Sequence, residues 1–308
     1  MNPLLHRHLY SSARRNRFFW LLSLYLLGVG ILILLFTGLI LSGSLVLSER
    51  RISMLDIFTQ GRVLYWISCI LLLQTATMLA PINALGMLAG EREHRTLDLL
   101  RTTTLRPRTI VQGKLGAALL SGLIYILAPL PLLLLGYWLG GVTTTELTLT
   151  LLFLLTTLLI STTWALFISS LTRRTIVAVI IFYGVTLAII PLAGAFASIF
   201  SGLSSAWMYS DIFSVQPFWI EALIQHGWVL LVALHPLTAA IASEALWMDQ
   251  GSWFLLSFTV RSHSTTSGMG TLGTIMLPSP WIPYTLLALL TTALLLKLTA
   301  RRLAKTER

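Results

Sequence analysis

Apolar and polar positions are sorted into long blocks along this chain. Five stretches carry no Asp, Glu, Lys or Arg: Phe18 to Ser42, Val63 to Ala89, Leu115 to Leu139, Leu147 to Ser170 and Ile176 to Phe200. Each exceeds the roughly 20 residues with which an α-helix crosses a bilayer. A sixth stretch, Trp281 to Leu298, is interrupted only by Lys297, where a long side chain can reach the headgroups. The pattern predicts an all-α polytopic membrane protein, one domain over 1–308. Its six spans fall at about 18–42, 63–89, 115–139, 147–170, 176–200 and 281–298.

Composition agrees, since only 10% of the 308 residues are charged and 56% are hydrophobic, against roughly 25% charged in a soluble domain. The net charge of +10 raises nucleic acid as a partner, but the basic residues are spread over short segments between spans, with no aromatic-interleaved basic face. Their placement reports topology instead. With the N-terminus cytoplasmic, 17 of the 21 basic residues fall in inside segments; only Arg50, Arg51, Arg62 and Arg261 fall outside. The positive-inside rule therefore predicts both termini in the cytoplasm. The lone Cys69 forms no intrachain disulfide and no Cys-based metal cluster. The first apolar run is too long for the roughly 7–15 residues of a cleavable signal core, so a retained helix is expected.

Between the fifth and sixth spans, residues 201–280 form a long outer segment. It is rich in Trp (Trp207, Trp219, Trp228, Trp247 and Trp253, with Trp281 at its edge) and in Gly, Ser and Pro. Indole rings favour the headgroup level, so short interfacial helices are expected around Phe218 to Leu234 and Leu237 to Trp247. A further membrane hairpin over 218–247 is the alternative. At the N-terminus Leu4, Leu5, Leu9 and Phe18 can share an apolar side while Arg7, Arg14, Arg15 and Arg17 stay wet, which predicts an elbow helix on the membrane lipid surface.

Catalytic chemistry is missing. There is no HExxH, no GxSxG, and no Walker A motif; Gln112-Gly113-Lys114-Leu115 lacks the upstream Gly and the Ser or Thr after Lys. No His pair has convincing metal-ligand spacing, so neither a catalytic nor a metal site is assigned. No Asp or Glu lies in the six apolar runs, which argues against ion-coupled secondary transport. Gln74, Thr77 and Asn83 in the second run are candidates for lining a pathway, with helix-to-helix or back-to-carbonyl hydrogen bonds as the alternative. Gly86-x-x-x-Gly90 and Gly136-x-x-x-Gly140 fit close helix contacts. A membrane enzyme would have to use Asp211, Glu221, His226 or His235 at the outer interface.

The most informative segment is the cytoplasmic loop 90–114. Glu91 precedes Arg95 by four residues and Asp98 precedes Arg101 by three, spacings that favour helical ion pairs, while Leu97 and Leu100 add an apolar edge. Thr102, Thr103 and Thr104 break the pattern, and Pro107 is placed to open a helix leading into the third span. A rigid helix joined to two spans can pass on a push from a soluble partner, which a slack loop cannot.

The strings G-E-R-E-x-x-T-L-D-L-L and T-T-x-L-x-x-x-x-I-V-x-G-K, with six spans, a basic elbow and His235-Pro236-Leu237 in the outer segment, resemble the membrane subunit of type-two ATP-binding-cassette exporters. The resemblance implies that Glu91 to Leu100 is a coupling helix seated in a separate nucleotide-binding ATPase subunit. Glu91, Arg92, Glu93, Thr96, Leu97 and Leu100 would form the transmission contact, and Arg106 and Arg108 would support it. It also implies a second permease copy or a homologous permease, location in the cell membrane, and no cofactor in this chain, ATP and Mg belonging to the partner. A non-transporting membrane scaffold for such an ATPase needs the same loop and is the alternative function.

Overall fold

The computed structural model describes residues 20, 23–35, 38, 54–95, 107–209, 218–264 and 268–305. They divide into two compact units, Met1–Phe182 with Thr291–Arg308, and Tyr183–Leu290. Among the described residues five helical stretches are long and apolar enough to cross a membrane: Phe58–Glu93, Pro107–Leu127, Thr144–Leu171, Thr175–Phe196 and Trp281–Ala304. The first expected span is described only in part, as helix α1 (Ser23–Leu35), and the expected N-terminal elbow lies outside the described residues.

Two of the apolar runs are broken helices. The second starts earlier than its uncharged run and consists of α2 (Met54–Met78) and α3 (Ile82–Glu93). Pro81 lacks an N–H and its ring excludes a continuing turn. The chain adapts by sending the Leu79 and Ala80 amides to the same Thr75 carbonyl, both at 3.0 Å. The third run becomes α4 (Pro107–Leu127) and α5 (Leu130–Trp138), with Pro129 at the break. Pro107 is the first residue of α4, the place its missing donor costs nothing.

Helix α6 (Thr144–Leu171) follows a turn in which Gly140 and Gly141 have φ of 95° and 83°, and a Cβ on Gly140 would meet the Phe58 ring at 2.4 Å. Its start is a capping box: Thr143 Oγ1 accepts the Glu146 amide at 3.2 Å, and Glu146 Oε2 accepts the Thr143 amide at 2.9 Å. Helix α7 spans Thr175–Tyr209. In the first unit Tyr65, Leu72, Leu73, Leu85, Leu88, Leu133, Leu154, Leu158 and Leu166 are fully buried between the helices. Small residues bring backbones together there. A Cβ on Gly136 would stand 2.6 Å from the Tyr65 nitrogen, so α5 lies directly on α2. Gly86 and Gly90 sit at ordinary distance from Thr175.

The second unit contains α8 (Phe218–Val232) and α9 (Pro236–Gln250), close to the two short helices expected. It also contains an antiparallel hairpin of β1 (Leu255–Ser264) and β2 (Gly268–Pro278), in register from Leu255 opposite Pro278 to Ser264 opposite Gly268, with an irregularity at Val260/Arg261. The all-α expectation thus gains a two-stranded sheet. Alternation explains its attachment: Leu256, Ile275 and Leu277 are buried with Val229 of α8, while Leu255 and Met276 are exposed. Helix α10 (Trp281–Lys305) follows.

Candidate functional site

The acidic-basic-acidic triplet expected in the coupling loop ends a membrane helix. Glu91, Arg92 and Glu93 form the last turn of α3. The continuous helix expected from Glu91 to Leu100 stops there because the Arg95 amide turns back to the Arg92 carbonyl at 3.2 Å and Arg95 takes φ 56°, a left-handed conformation that terminates the helix. Arg95 is therefore not one helical turn beyond Glu91, and the expected i to i+4 geometry is lost.

Each of the three side chains reaches a different helix. Glu91 Oε1 pairs with Lys114 Nζ of α4 at 2.6 Å, and that ammonium also donates to the Met87 carbonyl at 2.7 Å. Lys114 is 5% exposed, so its charge depends on these two acceptors. Arg92 Nη1 donates to the carbonyls of Ser170 and Thr172, at 2.7 and 3.2 Å, where α6 ends. Glu93 Oε2 accepts the amide and the hydroxyl of Thr175, both at 3.1 Å, where α7 begins. The signs match the helix dipoles: a cation meets the carbonyl end of α6, and an anion meets the amide end of α7. Three consecutive residues thus clasp α4, α6 and α7 to the end of α3.

One turn back, Ser169 of α6 reinforces the clasp. Its buried hydroxyl donates to Leu85 O at 2.7 Å and accepts the amides of Leu88 and Ala89 at 3.1 and 2.9 Å. Further along, Ser161 Oγ donates to Ala76 O at 2.6 Å, Tyr65 donates to Thr150 at 2.7 Å, and Arg62 meets Glu146 at 3.3 Å. Residue numbers rise together on both sides of these ties, so α2 and α3 run parallel to α6.

Of the other expected site residues, Arg108 is exposed in the first turn of α4, and Thr96, Leu97, Leu100 and Arg106 lie outside the described residues. Among the proposed pathway residues, Thr77 is buried and donates to the Leu73 and Gln74 carbonyls, both at 3.0 Å, while Gln74 and Asn83 are half-buried. Thr156, Thr157, Thr162 and Thr163 likewise bond to carbonyls of their own helix. Lys114, Ser169 and Thr175 were not among the expected residues. A basic residue at the foot of the third run was the only local signal for them.

Of the residues an outer-interface enzyme would need, the two histidines each bond a backbone group close by in the chain. His235 is buried and its Nδ1 accepts the Leu237 amide at 3.2 Å, capping α9; burial lowers its pKa to about 4. His226 bonds the Ala222 carbonyl at 2.7 Å. The side chains of Asp211 and Glu221 lie outside the described residues. Among the described residues no group of three His, Cys, Asp or Glu could hold a metal ion.

A family model described as ABC-2 family transporter protein matches residues 58–220, just over half of the chain, and the match contains the whole clasp. No curated protein and no solved structure matches the chain. On that match the chain belongs to the ABC-2 family of transporter proteins, as a multi-pass membrane permease component of an ABC transporter.

Proposed function

We propose that this chain is the permease subunit of an ABC exporter, working with a second permease and two ATPase subunits that hold ATP and Mg. Both termini and the loop 90–114 face the cytoplasm, where the basic residues concentrate. The observation that carries the reading is the clasp: Glu91, Arg92 and Glu93 tie the end of α3 to α4, α6 and α7. A displacement delivered to the loop after Glu93 reaches four helices at once. In this reading Thr96, Leu97, Leu100, Arg106 and Arg108 meet the ATPase, while Glu91, Arg92 and Glu93 pass the motion inward.

The test is purification of the C-terminally tagged chain from its native membrane in mild detergent, with its companions identified by mass spectrometry. A stoichiometric subunit carrying a Walker A motif is expected, and Leu97→Asp with Leu100→Asp should release it without lowering abundance of the permease. A homogeneous preparation that keeps its activity with no ATPase bound would overturn the reading.

A further inference from the structure

Hydroxyls buried in apolar helices ordinarily bond a carbonyl of their own helix, and Thr156, Thr157, Thr162 and Thr163 of α6 do so. Ser169, on the same helix and 0% exposed, bonds across to α3 instead. Its partners are the Leu85 carbonyl and the Ala89 amide, the two groups that bond one another in an uninterrupted helix, together with the Leu88 amide. A side chain that offers a donor and an acceptor to the two ends of one ladder bond competes with that bond, and such competition is one of the few physical causes of a helix bend. The position is specific within the element. On one side lies the Pro81 break, on the other the clasp turn Glu91–Glu93, and between them the Met87 carbonyl is held by Lys114.

We propose that Ser169 is a positioning residue for coupling: its hydroxyl is the pivot about which the last turns of α3 tilt, and so it sets where Glu91, Arg92 and Glu93 present themselves. With a hydroxyl there, the ladder between Leu85 and Ala89 can open and close by exchanging one acceptor for another, with no backbone group left bare. Without it only the direct bond between the Ala89 amide and the Leu85 carbonyl is left. Ser169→Ala therefore fixes the clasp in one orientation, whereas Ser169→Thr keeps the donor and acceptor and preserves the pivot.

The coupling role rests on the function proposed above, but the pivot does not, and the two are separable by experiment. Spin labels at His94→Cys and Arg173→Cys, both exposed positions, in a Cys69→Ala background report the short separation of the α3 and α6 ends by dipolar broadening of the frozen continuous-wave spectrum. The full chain is used in lipid nanodiscs. Ser169→Ala is expected to shift the mean separation by about 2 Å, the opening that one inserted hydroxyl imposes on a direct bond of about 2.9 Å, and to narrow the distribution. Ser169→Thr is expected to match the parent. An unshifted distribution in Ser169→Ala, or an equal shift in both variants, overturns the pivot. In the complex with its ATPase, Ser169→Ala should lower the hydrolysis rate about fivefold or more, with recovery in Ser169→Thr. An unchanged rate beside a shifted distance keeps the pivot and removes its role in coupling.

Discussion

At its Thr144 end α6 is closed largely by its own first turn: Thr143 and Glu146 cap each other, and one neighbour, Arg62, adds a largely buried ion pair at 3.3 Å. At its Leu171 end Thr172 bonds back to Ile168 O through its amide and hydroxyl, and further caps come from elsewhere. Arg92 of α3 takes the carbonyls of Ser170 and Thr172, and Ser169 gives its hydroxyl to α3 in return. A self-capped end is stable whatever its neighbours do. A mutually capped end is stable only in company, so a force on one helix is shared with the other. On the function proposed above, the self-capped end is the support and the shared end is the one that transmits.

The sharpest way to break the transmitting end is Lys114→Met, which leaves the Glu91 carboxylate and the Met87 carbonyl without the ammonium that holds both. A loss of about 3 kcal/mol is expected when one member of this largely buried pair is removed, read as a lower thermal midpoint of the purified chain. Adding Glu91→Gln should recover most of it. At the supporting end, Gly140→Ala is expected to cost about 2–3 kcal/mol, because φ of 95° disfavours any Cβ and the Phe58 ring occupies its place. Glu146→Ala removes a cap and an ion pair, for about 1–2 kcal/mol. Between the ends, Thr162→Val and Thr163→Val delete hydroxyls that donate to carbonyls of α6 itself. Each should move the midpoint by less than about 1 kcal/mol. A mid-helix effect as large as that of Lys114→Met would erase the contrast.

Five of the six apolar runs overlap described helices long and apolar enough to cross a membrane, because water-to-lipid transfer excludes charge from a helix middle whatever the tertiary fold. They could not locate the helix ends. Arg62, Glu91, Arg92, Glu93, Lys114 and Glu146 all lie on helices that outrun the uncharged windows, since at the membrane boundary a charge is tolerated once it has a partner. A hydropathy window is also blind to Pro81 and Pro129, which interrupt hydrogen bonding but not apolarity. The hairpin was hidden for a related reason: Ser, Thr and Gly over 255–278 read equally well as an interfacial loop, and only pairing reveals the alternation. In the candidate site, the Glu91-Arg92-Glu93 triplet was legible from its charge and its place between spans. Its partners were not, because Glu91 to Arg95 is a favourable local pairing and nothing local favours Lys114 over it.

The ties that join α2 and α3 to α6 connect residues 78 to 85 positions apart. During synthesis at roughly 5–20 residues per second, about 80 residues take about 4–16 s. Throughout that interval the earlier span is in the membrane and its later companion has not yet emerged from the ribosome. The Ala89 amide then has only the Leu85 carbonyl to bond, and a newborn α3 is an ordinary closed helix. Ser169 arrives afterwards and adds its bonds to a helix that has already formed, so the tie between α3 and α6 is a product of assembly, made only once both helices are in place.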